Sequence, residues 1–91
     1  MSRFKDKRTE AFDNGEHVPA FQAFEKVATR KLDMVLNAER LGDLRAPPAN
    51  QLEALVGNRK GQHSIRINDQ WRVCFRWEDG RAVDIEIVDY H

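Results

Sequence analysis

The sequence is short of most of the features that would place it quickly. It has a single cysteine, Cys74, which rules out an intrachain disulfide and suits a reducing compartment. No stretch approaches the roughly 20 apolar residues of a membrane span, and the first residues carry no signal-peptide pattern. A cytoplasmic location with no membrane partner is the expectation. Net charge is absent, since 15 basic residues balance 15 acidic ones. That argues against a generic polyanion binder but allows a local basic patch. Three histidines and one cysteine lie scattered without metal-ligand spacing, so neither a metal site nor a cofactor is expected. There is no internal repeat and no low-complexity tract. With 91 residues, the chain is expected to form one domain over 1–91, near the small end for a self-sufficient core.

What is present divides into a helical half and a strand half. Phe4 stands among charges in Met1 to Lys7, which suits a short strand. Thr9 to Asn14 suits one or two helical turns, with Gly15 as a stop. From Pro19 to Leu41, Phe21, Phe24, Ala28, Leu32 and Val35 recur at helical spacing, and Gly42 follows. One long amphipathic helix is predicted there. Pro47-Pro48 marks Arg45 to Asn50 as a connector, Leu52 to Leu55 fits a brief strand, and Asn58 to Gly61 reads as a basic turn.

Beyond Gly61 the period becomes two. Ile65 and Ile67, then Trp71, Val73, Phe75 and Trp77, then Val83, Ile85 and Ile87, alternate with mostly polar neighbours. The pattern predicts three antiparallel strands with one apolar face covered by the long helix, an α+β fold with helices on one side of a small sheet. Matching the apolar faces pairs Ile67 with Trp71, Ile65 with Val73, Trp77 with Val83, Phe75 with Ile85 and Val73 with Ile87. A two-residue Asp79-Gly80 loop sets Arg76 against Val83 and mixes the faces. A three-residue loop or a bulge is therefore expected.

Chemistry belongs on the opposite face. This register puts Arg66 directly across from Arg72, a like-charge pair that costs a few tenths of a kcal/mol, roughly, by itself. Two forked guanidiniums held together match a phosphate. Glu53 and Glu86 are the acidic groups within reach of them, and Arg76 faces Asp84. Arg59 and Lys60 precede the first of these strands and extend the basic area. Asp89, Tyr90 and His91 follow the last strand, and Tyr90 shares the parity of Arg72. His91 has the opposite parity but sits at a free end, where parity means little. Carboxylate, phenol and imidazole make the tail a cluster of proton-active groups, with Tyr90 on the arginine face.

The run Gly57-Asn58-Arg59-Lys60-Gly61-Gln62-His63-Ser64-Ile65-Arg66-Ile67-Asn68-Asp69-Gln70-Trp71-Arg72-Val73-Cys74-Phe75-Arg76-Trp77, the preceding Leu52 to Leu55 and the ending Val88-Asp89-Tyr90-His91 resemble the HigB group of RelE-superfamily toxins. Phe4 to Lys7 and Pro47-Pro48 fit the same pattern, so the likeness spans nearly the whole chain. It implies a RelE-like microbial ribonuclease fold. It also implies a ribosome-dependent messenger-RNA endonuclease that inhibits translation. The partners implied are the ribosome and mRNA, a cognate helix-turn-helix antitoxin of the HigA type, and operator DNA only through the antitoxin complex. Carried over by position, His91, Tyr90, Asp89 and Arg72 match the family's catalytic residues, and Arg59 and Lys60 match its basic turn. Arg66 joins them as an RNA phosphate contact. The chain departs from the pattern at Val56-Gly57-Asn58-Arg59, where members commonly carry a lysine followed by Gly-Asp-Arg. Some members also have a histidine at the position of Glu53. Val56 neither binds a phosphate nor donates a proton.

Plainer roles compete at several positions. Arg66 and Arg72 also read as solvated strand arginines, and Tyr90 as an edge residue packed on the helix. His63 shares the parity of Ile65 and reads as structural, as His17 reads as a surface loop residue. Cys74 lacks a neighbouring base and reads as inert; Trp71 and Trp77 read as core. A second functional class stays open beside the nuclease: a catalytically weak module of the same fold, acting with its antitoxin in autoregulation. A ribosome-independent RNA-binding domain fits zero net charge poorly.

Overall fold

In the computed structural model, which describes residues 3–89, Asp6 starts the first helix. Its carboxylate accepts from the Thr9 N–H at 3.3 Å and caps α1, Lys7–Asp13. The predicted long helix is shorter than the sequence suggests. Pro19–Phe24 forms a 3-10 turn, and α2 proper runs over Glu25–Asn37. The cause is aromatic packing. A 3-10 turn stacks residues three apart on one side, which sets Phe21 and Phe24 together against Trp71 at centroid distances of 5.7 and 5.1 Å. At the other end, the Asp43 carboxylate accepts from the N–H groups of Glu39 and Arg40 at 3.2 and 3.0 Å. That contact starts a separate 3-10 turn, Leu41–Arg45, so Gly42 lies inside it rather than closing α2.

The strands are β1, Glu53–Ala54; β2, His63–Arg66; β3, Trp71–Glu78; and β4, Arg81–Asp89. They form one four-stranded antiparallel sheet in the order β1-β2-β3-β4. Ile65 pairs with Val73, Arg66 with Arg72, and Val73 with Ile87, as the alternation predicted. The β3–β4 turn is tighter than expected. Asp79 and Gly80 make a two-residue loop with φ of 53° and 77°, the mirror-image turn favoured in hairpins.

Arg76 accordingly pairs with Val83 and Trp77 with Ala82, so the expected pairs Trp77–Val83 and Phe75–Ile85 do not form. The register shifts between Cys74 and Arg76, where Asp84 takes a left-handed φ of 50°. Two residues of β4, Asp84 and Ile85, then oppose Phe75. The bulge returns Ile85 and Ile87 to the apolar side. Of the two expected devices, nature uses the bulge.

Backbone groups of Ile85 bond the N-terminal segment, with Ile85 N–H donating to Arg3 O and Lys5 N–H to Ile85 O, both at 2.9 Å. Phe4 makes a single parallel bridge there rather than a strand. Thr9 Oγ1 accepts from Ile87 N–H at 3.0 Å, so the outer edge of β4 is covered by the N-terminal segment and α1.

Ala28, Leu32 and Val35 of α2 pack with Ile65, Val73, Phe75, Ile85 and Ile87 of the sheet in one core. Each fully buried Val, Leu, Ile or Phe among them contributes about 1.5–3 kcal/mol. One polar contact interrupts this layer. Lys31 is buried and its ammonium donates to Asn50 Oδ1. Asn50 in turn donates to the carbonyls of Leu44 and Ala46, each at 3.2 Å. Burial, with Arg30 and Arg66 near by, pulls the Lys31 amine below its ordinary pKa. This network ties the proline connector to α2.

Replacing Asn50→Ala leaves that ammonium buried without its acceptor. A loss of about 2–3 kcal/mol in urea unfolding is expected, with part of it recovered on adding Lys31→Met. A loss below about 0.5 kcal/mol, the level of a surface change, contradicts this account.

Candidate active site

Period-two alternation gives β2 and β3 a second face, turned away from α2, that carries Ser64, Arg66, Arg72, Cys74 and Arg76. Glu86 of β4 pairs with Cys74 and joins them. Arg72 is the anchored cation of this face, its side chain only 14% exposed. Its Nη1 donates to Ser64 Oγ at 3.1 Å and to Gln51 O at 3.4 Å, while Nη2 donates to Gln51 Oε1 at 3.4 Å. Glu53 Oε1 lies 3.6 Å from the same Nη1.

Arg59 reaches the face from the 3-10 turn Gly57–Arg59. It donates to Glu86 Oε1 at 2.8 Å and to Gln62 Oε1 at 3.1 Å. Lys5 Nζ adds a 4.0 Å contact to Glu86. Lys60 is exposed at the end of that turn.

The like-charged Arg66 and Arg72 face each other as predicted, and the compensation is divided between two carboxylates. Glu53 serves Arg72, and Asp69 of the β2–β3 turn binds Arg66. Glu86, the other acidic residue expected to help, is engaged by Arg59. Arg76 and Asp84 approach to 3.6 Å across the bulge. Structure thus brings Arg59, Arg66 and Arg72 to one face.

Asp89 pairs with Trp71 at the far end of β4, and its Oδ2 accepts from Gln70 Nε2 at 2.8 Å. Asn68 shapes that turn, since its Oδ1 accepts from the N–H groups of Gln70 and Trp71, both at 2.8 Å. The proposed catalytic residues Tyr90 and His91 lie outside the described residues.

Cys74 is buried among the four charged groups Arg59, Glu86, Arg72 and Glu53. Burial is the main cause that raises its thiol to about 11, and the two cations and two carboxylates work in opposite directions. His63 is half-buried and stacks on Phe75 at 6.1 Å, in keeping with a structural role, and its Nδ1 has no hydrogen-bond partner. Among the described residues no three His, Cys, Asp or Glu side chains gather as a metal site. None of the described helices is long and apolar enough to cross a membrane.

Two residues of this site carried little or no sequence signal. Gln51 stands 21 residues from Arg72 in the chain and belongs to no periodic pattern. Ser64 reads as an ordinary polar strand residue until Arg72 is seen upon it.

The model of a family described as the RelE-like toxin of type II toxin-antitoxin system HigB matches residues 2–91. Toxin HigB-1 of Vibrio cholerae serotype O1 is 43% identical over 83 residues, covering 89% of this chain and 87% of that protein. Endoribonuclease HigB of Proteus vulgaris is 31% identical over 61 residues, 67% of this chain and 65% of that one. The solved YoeB-YefM complex from Staphylococcus aureus contains a chain of the same fold. That chain gives a TM-score of 0.58 at 21% identity, over 97% of this chain and 92% of its own length.

The thiol supplies a direct check on the packing of this face. Two units of pKa leave the native thiolate about 100-fold scarcer than in a free cysteine. Iodoacetamide at pH 8 is expected to label urea-unfolded protein at least about 100-fold faster than native protein. Stability linked to this proton is complete below pH 9 and declines as the pH climbs towards about 11, because the unfolded thiol ionises first. Equal labelling of the two states contradicts the buried placement.

Proposed function

Because the chain belongs to the HigB-like family of RelE-like toxins of type II toxin–antitoxin systems, we propose that it is an endoribonuclease that cuts messages under translation on the ribosome. It acts in the cytoplasm, inhibits translation, and is neutralised by a helix-turn-helix antitoxin of the HigA type. Together the two proteins act on operator DNA. The name of the Proteus vulgaris relative supports the nuclease activity, and the Staphylococcus aureus chain of the same fold occurs in a YoeB-YefM complex.

One observation carries the reading. Arg72 is held against Ser64, Gln51 and Glu53 on the face turned away from the helices, with Arg66 directly opposite. The proposed chemistry runs without a metal ion. A base removes the proton of the ribose 2′-hydroxyl, whose oxygen attacks the adjacent phosphorus. Arg72, aided by Arg66 and Arg59, stabilises the charge that accumulates on the phosphorane oxygens. An acid then protonates the departing 5′-oxygen, leaving a 2′,3′-cyclic phosphate and a 5′-hydroxyl.

His91 is the leading acid–base group, and Asp89 orients it. Tyr90 stacks on a splayed base or assists proton transfer. Lys60 contacts RNA phosphate from its exposed turn. Val56 offers no proton-transfer group, and Glu53 beside Arg72 supplies the second one.

A second reading has one observation in its favour. Val56 is 83% exposed and stands where the family resemblance leads one to expect a lysine. A weak or inactive toxin that serves mainly in autoregulation with its antitoxin fits that substitution.

Inducing the chain in cells and mapping RNA ends separates the two. Growth arrest is expected, with cuts inside translated codons that disappear on co-expressing the antitoxin. Arg72→Ala is expected to lower cleavage by about 100- to 1000-fold. His91→Ala is expected to lose cleavage as well, with folding and antitoxin binding kept in both. Intact messages in healthy cells, despite soluble expression, leave only the autoregulatory reading.

A further inference from the structure

We propose that Gln51 is a positioning residue that fixes the plane of the Arg72 guanidinium for the scissile phosphate. This rests on the role given to Arg72 above. Three features of the structure converge on it.

The first is backbone conformation. Gln51 sits at φ 47° and ψ 54°, a left-handed conformation that a side-chain-bearing residue keeps only where its surroundings impose it. The second is what imposes it. Asn50, immediately before, is buried and bound to Lys31, Leu44 O and Ala46 O. Gln51 N–H itself donates to Pro48 O at 3.1 Å. Two residues later, Glu53 is locked into β1 opposite Ser64. The chain therefore turns at Gln51 between two fixed points.

The third is where the strained residue points its acceptors. Its main-chain carbonyl meets Arg72 Nη1 and its side-chain carbonyl meets Nη2, each at 3.4 Å. Ser64 and Glu53 both address Nη1. Gln51 addresses both terminal nitrogens at once, and two points of contact set the tilt of a planar fork. Gln51 is exposed, so its side chain adds nothing to the core. Glu53 meets the charge of Arg72 at Nη1, and the neutral carbonyls of Gln51 add orientation without adding a second negative charge, which suits a cation that must meet a phosphate.

Gln51→Gly distinguishes positioning from mere structure. Glycine tolerates the left-handed conformation, keeps the main-chain carbonyl and deletes the side-chain contact of this residue to Nη2. Melting temperature and message cleavage are measured together, the latter in a reconstituted translation reaction over a range of toxin concentration, with Arg72→Ala alongside. The variant is expected to melt at a higher temperature than wild type. Its maximal cleavage rate is expected to fall about 10-fold, less than the loss of about 100-fold that a misplacement near 1 Å can cause, with little change in the half-saturating concentration. Stability and cleavage moving in opposite directions is a result that a structural role does not produce.

An inactive Arg72→Ala beside a fully active Gln51→Gly overturns this inference and leaves the role of Arg72 standing. A Gln51→Gly protein that loses both stability and cleavage assigns the residue to the fold and also overturns it. A fully active Arg72→Ala overturns the reading of Arg72, and this proposal with it.

Discussion

Everything in this molecule depends on a sheet that has two faces and on helices that cover only one. Ala28, Leu32 and Val35 of α2 claim the face that carries Ile65, Val73, Phe75, Ile85 and Ile87. In an antiparallel ladder the residues between these must point the other way. Arg66 and Arg72 are therefore forced together, and no repacking on the helix side can part them. Their repulsion is met by Asp69 and Glu53 at the rims, with neutral acceptors from Ser64 and Gln51. The strand arginines gather here because the apolar face is taken by the core.

Keeping two faces along a nine-residue strand is not automatic. The tight Asp79-Gly80 turn starts β4 in a register that sets Val83 beside Arg76. Asp84 corrects this with one left-handed residue, and from Ile85 onward the apolar side chains face α2 again. Glu86 and Val88 consequently inherit the polar face, paired with Cys74 and Arg72, whereas Asp89 pairs with Trp71 at the end of the strand. The N-terminal segment bonds to the same bulge through Ile85. A small local adjustment thus aligns the end of β4 with the arginines.

Much of this was legible before any coordinate. The alternation of Ile65 with Arg66 and of Arg72 with Val73 contains the β2–β3 register, because a slip of one residue exposes the core. The conflict between a two-residue turn and matched faces likewise pointed to a three-residue loop or a bulge, and only the packing decides for the bulge. What stayed hidden depends on contacts distant in sequence. Helical periodicity runs unbroken through Phe21 and Phe24, yet packing on Trp71 turns that segment into a 3-10 turn. Gln51 acquires its conformation from the buried Asn50 and its meaning from Arg72, and neither relation leaves a local pattern. Family likeness extends through Asp89, Tyr90 and His91, so the assignment of the tail rests on that likeness.

The central claim is that the guanidiniums of this face act with proton-transfer side chains to cleave RNA by attack of its own 2′-hydroxyl. The chemical nature of the cut ends tests it most directly. Messages recovered after induction should carry 2′,3′-cyclic phosphates on upstream fragments and 5′-hydroxyls on downstream ones, so that kinase treatment is needed before the downstream ends can be ligated. Ends bearing 5′-phosphate and 3′-hydroxyl groups, ligated without that treatment, contradict the account.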